Sequence, residues 1–267
     1  MRRDVKSLIR EKLQKSDADV LFASLFGSYR RGDYDAFSDI DVLVVCGDED
    51  EKTLISSELK RLEPMLNRSL HVSLFSRREF ESRVRFHDYL ATSIIEDSSF
   101  IFGRRGFFAE AKRKLLEGLP DGDSIRFNVD MGFRTLRHLY LRLSGVSLNG
   151  SSHRGDLFKY VMKGLNDYRI GLGYLCAGAL MQRSGGGVSF TRLMQTGFGS
   201  VLKNVAYVEN VVKRRSVDYM VLSRLANEIK DESLRVLTSN SHDPLRGANL
   251  LIKSRRENLL PKLFRAD

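Results

Sequence analysis

Asp39 and Asp41 flank Ile40 at the head of an apolar run, Val42-Leu43-Val44-Val45. Side chains alternate along a strand, so the two carboxylates share one face while Ile40 points into the core. Carboxylates roughly 7 Å apart along a strand can share hard divalent cations such as Mg²⁺ or Mn²⁺. Two such ions can orient a triphosphate and stabilise the entering and leaving oxygens of an in-line displacement. Upstream, separated from Asp39 by ten residues, stands Gly27-Ser28. A glycine there lets backbone amides approach a ligand closely. A helical turn after it points its first amides at an anion. Ser28 adds a hydroxyl donor, and Arg30, Arg31 or both add positive charge. An Asp-x-Asp alone is common and could merely cap a strand; its pairing with Gly27-Ser28 makes a phosphate cradle beside a metal site.

These groups need elements to hold them. Val5 to Lys15 has helical periodicity. Val20 to Phe26 is a short apolar run rich in β-formers and reads as a buried strand ending at Gly27. Ser28 to Gly32 reads as a turn or a single helical turn, and Asp39 to Val45 as a second strand. Lys52 to Leu66 follows as an amphipathic helix with Leu54, Ile55, Leu59, Leu62 and Leu66 on one side. Leu70 to Phe75 is a third strand. Ser76 with Glu79 forms a capping-box pattern for the next helix. Phe86 to Glu96 reads as helix and Phe100 to Phe102 as a closing strand.

After Gly103 the pattern turns helical: 107–119, 128–143, 156–182, 191–213, 217–237 and 249–264. Loops rich in Gly, Ser, Asp or Pro separate these segments. The charge changes at the same place. Residues 1–103 hold 16 Lys+Arg against 19 Asp+Glu, a net of −3, and residues 104–267 hold 28 against 15, a net of +13. The sequence therefore predicts an α+β chain. A small mixed β-sheet domain with flanking helices spans 1–103, and an all-α basic domain spans 104–267. The basic half suggests a polyanion nearby: RNA, DNA or a nucleoside triphosphate. Cys46 and Cys176 lie far apart in apolar runs and read as buried thiols in a reducing compartment. Met1 to Asp4 leads into a charged helix without a signal core, and no apolar run is long enough to span a bilayer. A cytoplasmic protein that does not engage a membrane is expected.

Gly27-Ser28, the ten-residue gap and Asp39-Ile40-Asp41 in this strand order resemble the signature of the DNA-polymerase-beta-like nucleotidyltransferase superfamily. The resemblance covers roughly residues 18–103 and points to its small branch of minimal and antibiotic nucleotidyltransferases. It implies transfer of a nucleoside monophosphate from a nucleoside triphosphate to a hydroxyl acceptor, with release of pyrophosphate. It further implies Asp39 and Asp41 as catalytic metal ligands, Gly27, Ser28 and Arg31 as nucleotide-binding groups, and ATP as the donor. The acceptor stays open among an RNA end, a protein side chain and a small aminoglycoside-like alcohol.

One departure stands out. The family's third carboxylate falls here on His71 or Ser73, neither of which is acidic. A neutral imidazole can bind a metal or act as a base near pH 7, so His71 is the candidate replacement, although a histidine on a strand is commonly structural. Glu79 and Glu81 read as helix residues facing solvent. The alternative reading is a catalytically degenerate module that senses nucleotide or binds RNA. Minimal nucleotidyltransferases also partner with HEPN-type helical proteins, whose ribonuclease motif is Arg, four to six residues, His. Arg235 and His242 fit that spacing, a cheap match in an arginine-rich chain. Gly27 to Gly32 is no P-loop, since Asp33-Tyr34 stand where Lys-Ser/Thr is required.

Overall fold

A computed structural model describes residues 4–35, 38–144, 154–214 and 219–238. The chain divides into two compact units, Met1–Leu119 and Pro120–Asp267. The architecture is α+β: a small mixed sheet with flanking helices, then a helical region.

The first unit runs α1 (Val5–Gln14), β1 (Val20–Phe26), α2 (Gly27–Arg31), β2 (Ile40–Cys46), α3 (Glu51–Lys60), α4 (Glu63–Leu66), β3 (Leu70–Ser76), α5 (Arg77–Arg85), α6 (Tyr89–Glu96), β4 (Ser99–Gly103) and α7 (Arg105–Glu117). The sheet order is β3-β2-β1-β4. β2 and β3 are parallel, and β1 is antiparallel to both β2 and β4. β2 is covered on both faces, which explains its unbroken apolar run. Ile40, Val42 and Val44 pack with Ile9 of α1 and Ile55 and Leu59 of α3. Leu43 and Val45 pack with Phe80 of α5, Ile95 of α6 and Leu115 of α7 on the opposite face. Alternation then puts Asp41 on the face of Leu43, at the strand's open end. Phe22 ties this second layer together, with ring centroids 5.3 Å from those of Phe80 and Phe108.

Four local expectations are corrected. The strand begins at Ile40, so Asp39 sits just before it. The helix expected over 52–66 is two, because Pro64 in the first turn of α4 cannot donate to a preceding carbonyl. Leu54 is 42% exposed rather than on the apolar side. Helix α6 starts at Tyr89 behind an Asp88 cap, not at Phe86. The Ser76–Glu79 capping box forms as expected.

The second unit contains α8 (Gly122–Ser144), α9 (Arg154–Ser184), α10 (Phe190–Met194), α11 (Gly199–Arg214) and α12 (Tyr219–Thr238). Asp121 caps α8 by accepting from the Ser124 amide at 2.8 Å. Small residues let α8 and α9 approach closely: a Cβ on Gly132 or Gly171 would strike Leu175 or Leu136 at 2.8 Å. The segment expected as one helix over 191–213 breaks between α10 and α11, where Gly197 and Gly199 interrupt it. The loop expected over 149–152 and the helix expected over 249–264 lie outside the described residues. No described helix is long and apolar enough to cross a membrane.

Candidate active site

β1 is buried from Val20 to Leu25 and stops where Gly27 takes φ +74°, a left-handed conformation that glycine adopts without strain. Gly27 to Arg31 form α2, and Gly32, φ +82°, caps its end, its amide donating to the Ser28 carbonyl at 2.9 Å. Between α2 and β2 the chain is anchored by Arg68. Its Nη1 donates to the carbonyls of Asp35 at 2.7 Å and Ser38 at 2.9 Å. The same guanidinium lies 5.8 Å from the ring centroid of Tyr29 and 5.3 Å from that of Tyr34, two rings stacked at 4.2 Å. Arg68 therefore holds the loop that delivers Asp39. Sequence reading gave it no role, because its partners are backbone oxygens some thirty residues away.

Gly27, Asp41 and His71 meet at the ends of three strands. Phe26 is opposite Asp41 in the β1–β2 register, and His71 is opposite Asp41 in the β2–β3 register. A Cβ built on Gly27 would run into the Asp41 carboxylate. His71 Nδ1 is 3.1 Å from Asp41 Oδ1. An ionised carboxylate only accepts, so Nδ1 carries the proton and Nε2 is left free to accept one when the ring is neutral. Ser73 is opposite Leu43, deeper in the sheet, so His71 and not Ser73 neighbours Asp41. The Asp41 side chain is 24% exposed and that of His71 65%. The hydrogen bond to Asp41 lifts the His71 imidazole above its ordinary pKa against partial desolvation, helped by the charges of Asp41 and Asp39. Asp39 is exposed and close enough for its charge to act on His71. Among the described residues, no group of three or more His, Cys, Asp or Glu stands together as a ready metal cluster.

Arg31, at the last position of α2, is held between two carboxylates. Nε donates to Asp33 Oδ2 at 3.2 Å and Nη1 to Asp97 Oδ2 at 2.6 Å. Burial works against its charge, but these partners outweigh it and raise its pKa. Asp97 also accepts from the Gly27 amide at 2.8 Å. Sequence reading passed over Asp97; its partners are 66 to 70 residues away, and only strand pairing brings them together. Of the ribonuclease-like pair, Arg235 pairs with Glu232 at 2.7 Å, and His242 lies outside the described residues.

Residues 6–101 match the model of the nucleotidyltransferase domain. No curated protein matches the sequence. Among solved structures, spectinomycin adenyltransferase AAD(9) from Enterococcus faecialis, with ATP and spectinomycin, is 12% identical at TM-score 0.42, covering 86% of this chain and 96% of its own. A toxin–antitoxin structure with AMP-PNP is 18% identical at TM-score 0.32, covering 42% of this chain and 84% of its own. A nucleotidyltransferase-like protein from Exiguobacterium sibiricum is 12% identical at TM-score 0.32, covering 95% of this chain and 78% of its own. The matched span contains Gly27-Ser28 and Asp39-Ile40-Asp41. Over residues 6–101 the chain is similar to the nucleotidyltransferase domain.

Proposed function

We propose that the protein transfers a nucleoside monophosphate, AMP in the first instance, from a nucleoside triphosphate to a hydroxyl acceptor and releases pyrophosphate. The observation that carries this reading is the meeting of Gly27, Asp41 and His71 at one sheet end, within a span similar to the nucleotidyltransferase domain. The donor set fits a hard divalent cation. Asp39 and Asp41 offer carboxylate oxygens at the mouth of β2, and a triphosphate would supply the further oxygens that a two-carboxylate site lacks. Mg²⁺ or Mn²⁺ bound there would neutralise charge on the triphosphate and polarise its α-phosphorus.

The chain's own groups have distinct tasks. The Gly27-Ser28 turn receives the phosphates without a Cβ in the way, and Arg31 adds positive charge beside it. Asp41 holds His71 by Nδ1, so Nε2 takes the proton of the acceptor hydroxyl. The acceptor oxygen then bonds to the α-phosphorus, the bond to the bridging oxygen breaks, and pyrophosphate leaves with that oxygen. The acceptor is an RNA end, a protein side chain or a small aminoglycoside-like alcohol; the net charge of +13 over residues 104–267 favours a polyanion.

Pyrophosphate release from each of the four nucleoside triphosphates, with Mg²⁺ or Mn²⁺ and with cellular RNA or protein extract, tests the reading. Release that depends on acceptor and vanishes in Asp39→Ala/Asp41→Ala supports it, and the label's destination names the acceptor class. Triphosphate binding with no release in any mixture would leave a nucleotide-sensing module in its place.

A further inference from the structure

Asp97 has no part in the chemistry above, yet three donors converge on its carboxylate. The Gly27 amide and Arg31 Nη1 reach Oδ2 at 2.8 and 2.6 Å, and Arg30 Nη1 reaches Oδ1 at 3.5 Å. Sheet register explains the meeting. Leu25 is opposite Ser99 in the antiparallel β1–β4 pair, and two further places set Asp97 opposite Gly27. The junction is pinned from inside: buried Ser24 Oγ donates to Ser98 Oγ at 3.1 Å, and Ser98 Oγ donates to the Ile94 carbonyl at 2.7 Å. Asp97 is thus a fixed point between α6 and β4, not a mobile surface carboxylate.

We propose that Asp97 is the positioning residue of the triphosphate site, fixing the Gly27 turn and aiming Arg31; this rests on the nucleotidyl-transfer reading. Phe26, which precedes α2, has no side-chain oxygen to cap the first amide. Asp97 supplies that acceptor from across the sheet. A guanidinium on a long flexible stem loses conformational freedom on meeting phosphate, and a carboxylate that already holds it removes much of that cost. Arg31 spends one N–H on Asp33 and one on Asp97, and the planar fork has others to offer a ligand. The rival idea makes Asp97 an internal anion in the phosphate's place. The two ideas predict opposite signs, since removing a competitor strengthens phosphate binding and removing a support weakens it.

The experiment is calorimetric binding of ATP with Mg²⁺ to the full chain and to Asp97→Asn, Asp97→Ala, Asp97→Glu and Asp33→Asn. Melting temperature and Gly27 amide exchange are recorded on each. The Asn and Ala variants should weaken binding at least about tenfold, the effect of losing a charged hydrogen-bond partner, with Glu restoring part. Their Gly27 amide should exchange faster. Asp33→Asn takes the same charge from the same guanidinium without touching Gly27, and should change binding less than about threefold, as exposed pairs do. In the pyrophosphate assay the Asp97 variants should raise KM with kcat nearly unchanged. Tighter binding by folded Asp97→Asn would overturn the inference and favour the competitor. Unchanged binding by Asp97→Asn, against a wild type that binds, would overturn the inference alone. A wild type that binds no triphosphate would remove it together with the transfer reading.

Discussion

His71 faces Asp41 across the parallel β2–β3 ladder, with Nδ1 3.1 Å from Oδ1. The superfamily resemblance leads one to expect a third carboxylate at that place, and the chain has an imidazole. If His71 is the base, His71→Ala lowers turnover by about 10²–10⁴, the usual span for loss of a general base. His71→Asp, which restores a carboxylate on the same strand position, retains more activity than the alanine variant. Single-turnover transfer measured with both variants checks this. Equal rates for wild type and His71→Ala would remove His71 from the site.

The metal-free protein should show a raised His71 pKa by imidazole NMR, and Asp41→Asn should bring it down, because the Asp41 hydrogen bond is its first cause. The sign for stability follows. A folded-state pKa above the unfolded value means the pair's contribution is fully present below the unfolded pKa. It is lost as pH rises through the folded value. The effect is small, because the imidazole is 65% exposed. Added Mg²⁺ that engages Asp41 should lower the His71 pKa again.

Gly27→Ala should be costly twice over. A left-handed φ of +74° costs an L-residue about 1–2 kcal/mol. The new Cβ also meets the Asp41 carboxylate, which must move. A displacement of that kind at reacting groups costs about a hundredfold in rate. Chemical denaturation and the transfer assay separate the two losses.

Asp88 is fully buried, caps α6 by accepting from the Ala91 amide at 2.7 Å, and pairs with Arg83 at 2.9 Å. Asp88→Ala removes the cap, worth about 1 kcal/mol, and also takes a charged partner from Arg83. Asp88→Asn keeps the cap and should lose less. Since α6 ends at the residue before Asp97, thermal melting of both variants belongs beside their ATP affinity.

The two thiols should be inert in the folded chain. Burial pushes the Cys46 pKa up to about 11 and that of Cys176 up to about 12, so neither forms thiolate near neutral pH. Reaction with a disulfide reagent should be slow at pH 8 and become complete in denaturant. Rapid native-state labelling would contradict their burial.

Much of the site was legible in sequence because it is local. Alternation places Asp41 opposite Ile40, a glycine ends β1, and the Ser76–Glu79 box is a four-residue pattern. The run Val42 to Val45 reads as a strand, and packing shows that both its faces are covered. The tertiary structure decided what depends on register. It chose His71 over Ser73 as the neighbour of Asp41, since a shift of two residues along a strand moves a side chain about 7 Å. It brought Asp97 to Gly27 and Arg31, and Arg68 to the loop before Asp39, through contacts no local pattern encodes. It also divided the chain at Leu119, because α7 buries Phe108, Ala111 and Leu115 against the sheet of the first unit, although the charge turns basic before that helix begins. Periodicity tells which face of a helix is apolar; only packing tells which surface receives it.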